Sequence, residues 1–181
     1  LRIRYKDGRK IVVAERENDD ISYGDVVSRN EFGIDNGYFL SPDSTKIAYY
    51  RKDESKVTSF PLLDITTRTG SLTEIKYPMA GMDSEIIELY VYDIETGEKV
   101  RLESKAENPD YLTNISWSPD SRYVYSQTLD RAQKNMVLER WSADGQISET
   151  VLYETNEKYV EPTDPLHFVK GWNDIYIYRT S

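Results

Sequence analysis

The sequence contains no cysteine and only one histidine, His167. Without cysteine, this stretch can form no disulfide, no zinc–thiolate site and no thiol nucleophile. With one histidine, any Ser-His-Asp arrangement would have to use His167, which stands beside Phe168 in a strand-like run and reads as structural. The string Gly-x-Ser-x-Gly is also missing, so no serine here can sit on the strained turn of a nucleophile elbow. No run approaches the roughly 20 consecutive apolar residues that span a bilayer, and no contact with a membrane is expected. Positive charge is outnumbered too, with 23 Lys and Arg against 32 Asp and Glu. The formal net charge is −9, the opposite of a nucleic-acid binder's footprint. An acidic surface suits solubility and tolerates cationic ligands. The densest acidic run, Glu15-Arg16-Glu17-Asn18-Asp19-Asp20, lacks the alternation and turn glycine of a calcium loop and reads as a solvated loop. No metal and no cofactor is expected.

What is abundant is tyrosine, fifteen in 181 residues, which suits half-buried pleated surfaces. Strand–turn–strand units recur. Leu1–Tyr5 turns at Asp7-Gly8 and returns through Lys10–Ala14. Glu88–Asp93 turns at Gly97 and returns through Lys99–Leu102. Met136–Trp141 turns at Asp144-Gly145 and returns through Thr150–Tyr153. A glycine at the turn accepts positive φ without a Cβ clash. A second motif alternates with these hairpins. Phe39-Leu40-Ser41-Pro42-Asp43-Ser44 leads into Lys46–Tyr50, and Ser116-Trp117-Ser118-Pro119-Asp120-Ser121 leads into Arg122–Tyr125. Proline presets φ, while Asp and Ser bond back to nearby amides. The tail His167–Tyr178 has the same shape without Ser-Pro-Asp.

Gly97 and Gly145 are 48 positions apart, whereas Ser41 and Ser118 are 77 apart. Sheet units every 40–50 residues are the sequence sign of a β-propeller. The longer step requires either two blades or one blade with an insertion. The charged stretch Arg51–Gly81, with Pro61, Pro78 and the alternating run Leu72–Tyr77, supplies an insertion, read as an extended arm or long hairpin at about 53–77. The expected fold is all-β: a β-propeller segment, residues 1–181, of about three to four four-stranded blades, some incomplete. The chain opens in mid-pattern and stops just after a strand-like run, which suggests a section of a larger propeller. Trp117, Trp141 and Trp172 occupy repeated strand positions and are expected to pack between blades.

Three strings in order, Arg29-Asn30-Glu31-Phe32-Gly33, Phe39–Tyr49 and Tyr77-Pro78-Met79-Ala80-Gly81, resemble the N-terminal propeller of dipeptidyl peptidase IV-type serine exopeptidases, especially the bacterial members. The resemblance runs from about Ile21 to Tyr178. It implies an eight-bladed propeller and a catalytic α/β-hydrolase domain far downstream in the same chain, so this segment alone should be inactive. It also implies a peptide substrate with a free N-terminus, homodimer contacts through the insertion, and a periplasmic or cell-surface location. By the same resemblance, Glu31 matches a glutamate that binds the substrate's α-amino group. The best-known members carry two adjacent glutamates; here the neighbour is Asn30, which can accept through its amide oxygen but without charge. A later propeller arginine lines the site in that family. The segment matched to it, Tyr159–Asp164, has none. The rival reading is an interaction propeller of a periplasmic or cell-surface scaffold with no linked hydrolase.

Overall fold

The computed structural model describes residues 1–179. Its first hairpin pairs β1 (Arg2–Arg4) with β2 (Lys10–Val12) across Gly8, whose φ is 91°. The next sheet is a blade built on a long central strand. β3 (Ile21–Tyr23) is followed by a one-turn helix, α1 (Arg29–Phe32), then by β4 (Tyr38–Leu40) and β5 (Lys46–Asp53). β3 pairs with one end of β5, Ile21 opposite Asp53, and β4 with the other, Leu40 opposite Ile47. One strand position is thus split in two, and residues 24–37 leave the sheet and return.

The neck of that excursion is closed by Tyr50. Its carbonyl accepts from Gly24 N at 2.8 Å, and its amide donates to Gly37 O at 3.0 Å. Gly37 must be glycine for a steric reason: a Cβ there would sit 2.1 Å from the Asp25 carbonyl oxygen.

After β5 the chain forms a separate two-stranded sheet, β6 (Ser59–Asp64) with β7 (Ser71–Lys76). Every residue of β6 is exposed. Pro61 is tolerated because each strand of a two-stranded sheet is an edge. The blade then resumes with β8 (Ile86–Asp93), which pairs with β5 along its whole length, and β9 (Lys99–Leu102). The 77-residue step is therefore one blade plus an inserted hairpin.

The second blade is regular. β10 (Tyr111–Trp117), β11 (Tyr123–Leu129), β12 (Asn135–Ser142) and β13 (Ser148–Thr155) form a four-stranded antiparallel meander. A short hairpin, β14 (His167–Phe168) with β15 (Tyr176–Ile177), follows. The described residues therefore hold two complete blades flanked by two hairpins. They form a propeller segment, not a closed ring.

The Ser-Pro-Asp-Ser turns are built alike. Ser41 Oγ donates to Asp43 at 2.7 Å and accepts from Lys46 N at 2.9 Å; Ser118 Oγ donates to Asp120 at 2.6 Å and accepts from Tyr123 N at 2.9 Å. Ser44 and Ser121 both take positive φ, 62° and 61°. The Ser41 hydroxyl, with help from the Thr45 amide, holds the Asp43 carboxyl down at about 2. Ser142-Ala143-Asp144-Gly145 repeats the geometry without proline, Ser142 Oγ reaching Asp144 at 2.5 Å and accepting from Ile147 N at 2.9 Å.

The main core lies between the two blades. Tyr50, Leu89, Val91 and Leu102 of the first meet Leu112, Trp117, Val124 and Trp141 of the second. Their polar atoms are satisfied across the boundary: Tyr50 Oη donates to Leu112 O at 2.7 Å, Trp117 Nε1 to Phe39 O at 2.9 Å and Trp141 Nε1 to Glu103 O at 2.9 Å. Trp172 does not share this role; it is 56% exposed, on the turn of the last hairpin.

A buried carboxylate reinforces the boundary. Glu139 of β12 is fully buried and accepts from Ser104 Oγ at 2.6 Å, Lys105 N at 2.5 Å and Thr128 Oγ1 at 2.8 Å. Two of those donors lie just beyond β9, in the connection between blades. Glu139→Ala would strand three donors and is expected to cost about 2–4 kcal/mol. Glu139→Gln keeps one acceptor oxygen and should cost less. Chemical denaturation of both variants beside the parent checks the order; an Ala variant as stable as the parent contradicts it.

Candidate functional site

The residues 24–37 excursion carries Asn30 and Glu31 on α1. Ser28 enters the helix at φ 46° and Gly33 leaves it at φ 67°, with Gly33 N donating to Arg29 O at 2.9 Å. A single turn has little stability of its own, so tertiary contact must hold it. Phe32 supplies that contact by packing edge-on to Tyr111 of the second blade, ring centres 5.0 Å apart.

Beside this contact lies a small cavity of about 80 Å³ at the boundary of the two blades. Its lining includes Glu31, Ser84, Glu85, Asp110, Tyr111 and Arg131. Glu31 is exposed, while Glu85, Asp110 and Tyr111 are half-buried. Asn30 is also exposed and is not part of the lining. Burial pushes the Tyr111 hydroxyl above its ordinary value. The Arg131 charge opposes that rise, and the carboxylates of Glu31, Asp110 and Glu85 add to it. Three carboxylates and one guanidinium thus surround one tyrosine, an excess of negative charge suited to a small cation. A larger opening of about 260 Å³ lies further along the boundary, but of its three charged lining residues Glu88 and Arg101 are already ion-paired at 3.0 Å, and Glu103 stands 3.9 Å from Arg101.

Arg131 was not legible as a site residue. It sits on the β11–β12 turn, whose shape is set by Asp130: its carboxylate accepts from Lys134 N at 2.9 Å and Asn135 Nδ2 at 2.6 Å. Tyr159–Asp164, the segment matched by resemblance to the family's arginine loop, instead braces the second blade. Val160 N donates to Gln133 O at 2.6 Å, Asn114 Nδ2 to Pro162 O at 3.0 Å and Gln127 Nε2 to Asp164 O at 2.9 Å. His167 lies in β14, away from this lining. Among the described residues, no group of three or more His, Cys, Asp or Glu could hold a metal ion, and no helix is long and apolar enough to cross a membrane.

The family model for the dipeptidyl peptidase IV N-terminal region matches residues 3–181. The chain belongs to that family. A Bacteroides ovatus structure assigned as a dipeptidyl aminopeptidase IV is 38% identical, with a TM-score of 0.83 over 93% of this chain and 24% of that one. Dipeptidyl peptidase 4 of Porphyromonas gingivalis shares the fold, with a TM-score of 0.81 over 91% of this chain at 20% identity. A Phaeosphaeria nodorum protein assigned as dipeptidyl-aminopeptidase B is 29% identical over 150 residues, 72% of this chain and 16% of the relative. The chain therefore spans a quarter or less of the length of these relatives. Its propeller segment is that of the family.

The neck glycine closes the base of the excursion that carries α1. Gly37→Ala drives a methyl into the Asp25 carbonyl and is expected to cost about 1–3 kcal/mol. Gly33→Ala meets no neighbour within 4 Å and strains only a left-handed cap, about 1 kcal/mol. Denaturation midpoints of the two variants test this; Gly33→Ala being the more damaging would show that the neck is not the constraint.

Proposed function

We propose that this chain is the substrate-recognition part of a proline-specific dipeptidyl peptidase, and that the Glu31 pocket receives the peptide's free α-amino group. The observation that carries the reading is the pocket's composition: Glu31 shares an 80 Å³ cavity with Glu85 and Asp110 at the blade boundary. An exopeptidase must measure distance from the N-terminus. A carboxylate at the end of the cleft does so by pairing with –NH3⁺, and a charge-assisted hydrogen bond is stronger than a neutral one. Hydrolysis itself would belong to a downstream α/β-hydrolase domain with its own serine nucleophile; this segment would admit the peptide and fix its end. Membership of the family and the likeness to the Bacteroides ovatus protein support this reading.

Glu31→Gln in the full-length enzyme keeps the shape and removes the charge. The lost bond is worth about 1.5–3 kcal/mol, so kcat/KM for a free-amine Gly-Pro chromogenic substrate should fall about 10- to 100-fold. Asn30→Ala should change it little, because Asn30 does not line the pocket. Unchanged activity in Glu31→Gln would remove the assignment.

The β6–β7 hairpin we propose as an arm for self-association. Leu62, Leu63, Ile65 and Leu72 are exposed on it, Ile65 at 79%. Apolar side chains on a projecting hairpin favour a partner surface, and a two-fold dimer offers each arm an identical one. Replacing residues 56–75 with a short Gly-Ser hairpin in the full-length enzyme should shift its mass by light scattering from dimer to monomer. A parent that is already monomeric, or a deletion that remains dimeric at low micromolar concentration, takes this role from the arm.

A further inference from the structure

One wall of the Glu31 pocket is the returning limb of the arm. Residues 77–85 connect β7 to β8 and give Pro78, Ser84 and Glu85 to the lining. This limb has no strand partner. Its own backbone offers one turn, Met82 N donating to Met79 O at 3.0 Å, and from the arm's outgoing side Thr58 Oγ1 reaches Met82 Sδ at 3.7 Å. The firm attachment comes from the second blade. Arg131 Nη2 donates to Met82 O at 2.7 Å, and Nη1 donates to Ser84 Oγ at 2.9 Å. The guanidinium is itself well based, because the Asp130 carboxylate accepts from the Lys134 and Asn135 amides at 2.9 and 3.2 Å and fixes the turn that presents it.

We infer that Arg131 is the positioning residue of this pocket: it staples the arm's returning limb to the second blade and thereby sets where Glu85 stands relative to Glu31. The inference rests on the reading of the pocket as the amine site. A planar guanidinium is suited to the task because its donors are fixed in a rigid fork, whereas the three donors of a lysine ammonium rotate at the end of a flexible stem. Its charge serves the same end. One cation among three carboxylates lowers their mutual repulsion yet leaves the pocket net negative, so that a second, incoming cation still gains by binding. Arg131 then acts through the limb, by the two bonds it makes to Met82 and Ser84. The same limb is the base of the arm, so a displacement of the arm is resisted at Arg131 before it reaches the pocket.

The test compares Arg131→Met, Arg131→Lys, Glu31→Gln and the Met/Gln double variant in the full-length enzyme. The readouts are steady-state kinetics on a free-amine Gly-Pro chromogenic substrate and amide hydrogen exchange over residues 79–86. Arg131→Met should raise KM about 10-fold with kcat within about 2-fold, and should speed exchange of the limb but not of β11. Arg131→Lys should recover part of both. The double variant should lose less than the product of the single losses, because both changes act on one pocket. Unchanged exchange in Arg131→Met overturns the staple. Faster exchange with unchanged KM, while Glu31→Gln is impaired, overturns the positioning role and leaves the amine site standing. A Glu31→Gln enzyme indistinguishable from the parent overturns the amine site and the positioning role together.

Discussion

A blade is a sheet with two apolar faces, and it can bury them only against other blades. That constraint organises the chain. Tyr50, Leu89 and Leu102 from one blade and Leu112, Trp117 and Trp141 from the next make a single core. Neither set would be buried in its own sheet. The large aromatic residues chosen for this boundary carry polar atoms, and these must find partners or cost about 1–3 kcal/mol each. They find them in the neighbour's backbone: Tyr50 in Leu112, Trp117 in Phe39, Trp141 in Glu103. The hydrogen bonds add registry to a contact that apolar burial alone would leave free to slide.

Registry between blades is what makes a boundary pocket possible. Glu31 belongs to the first blade and Tyr111 and Arg131 to the second, so their mutual placement is only as good as the core beneath them. The split strand converts that rigidity into a site. Were β3 and β4 one continuous strand, Asn30 and Glu31 would have been pleated into the sheet. The excursion of residues 24–37 instead lifts them onto α1, and both ends of the excursion are bonded to the backbone of a single buried residue, Tyr50. The side chain of that residue also anchors the blade boundary. One tyrosine therefore joins the fold's main core to the loop that bears the candidate carboxylate.

Much of the architecture was legible because turns carry their own chemistry. Asp7-Gly8, the Ser-Pro-Asp-Ser pairs and Asp144-Gly145 mark chain reversals whatever surrounds them, and the hairpins fall where those residues stand. The step from Ser41 to Ser118 was ambiguous between two blades and one interrupted blade, since spacing counts residues without saying which strands pair. The pairing of β5 with β8 across the inserted hairpin decides it. Trp172 illustrates the opposite limit. Its strand-like context matched Trp117 and Trp141, but a residue's neighbours in sequence do not reveal whether a blade lies over it; here it stands on an exposed turn.

The candidate site was half legible for a related reason. Glu31 stands in a motif, and motifs are local. Glu85, Asp110 and Arg131 reach the same cavity from three other places, before β8, before β10 and after β11. No short string joins them; only the stacking of two blades does. The paired-glutamate pattern directs attention to Asn30, the residue next to Glu31 in sequence. On a single helical turn, however, adjacent side chains point about 100° apart, from 3.6 residues per turn. In this structure the cavity lining includes Glu31 and omits Asn30. Charge is instead gathered across the blade boundary, where the half-buried Glu85 and Asp110 share the cavity lining with Arg131. The excess of carboxylates is a property of the assembled boundary, contributed by residues that are not adjacent in the chain.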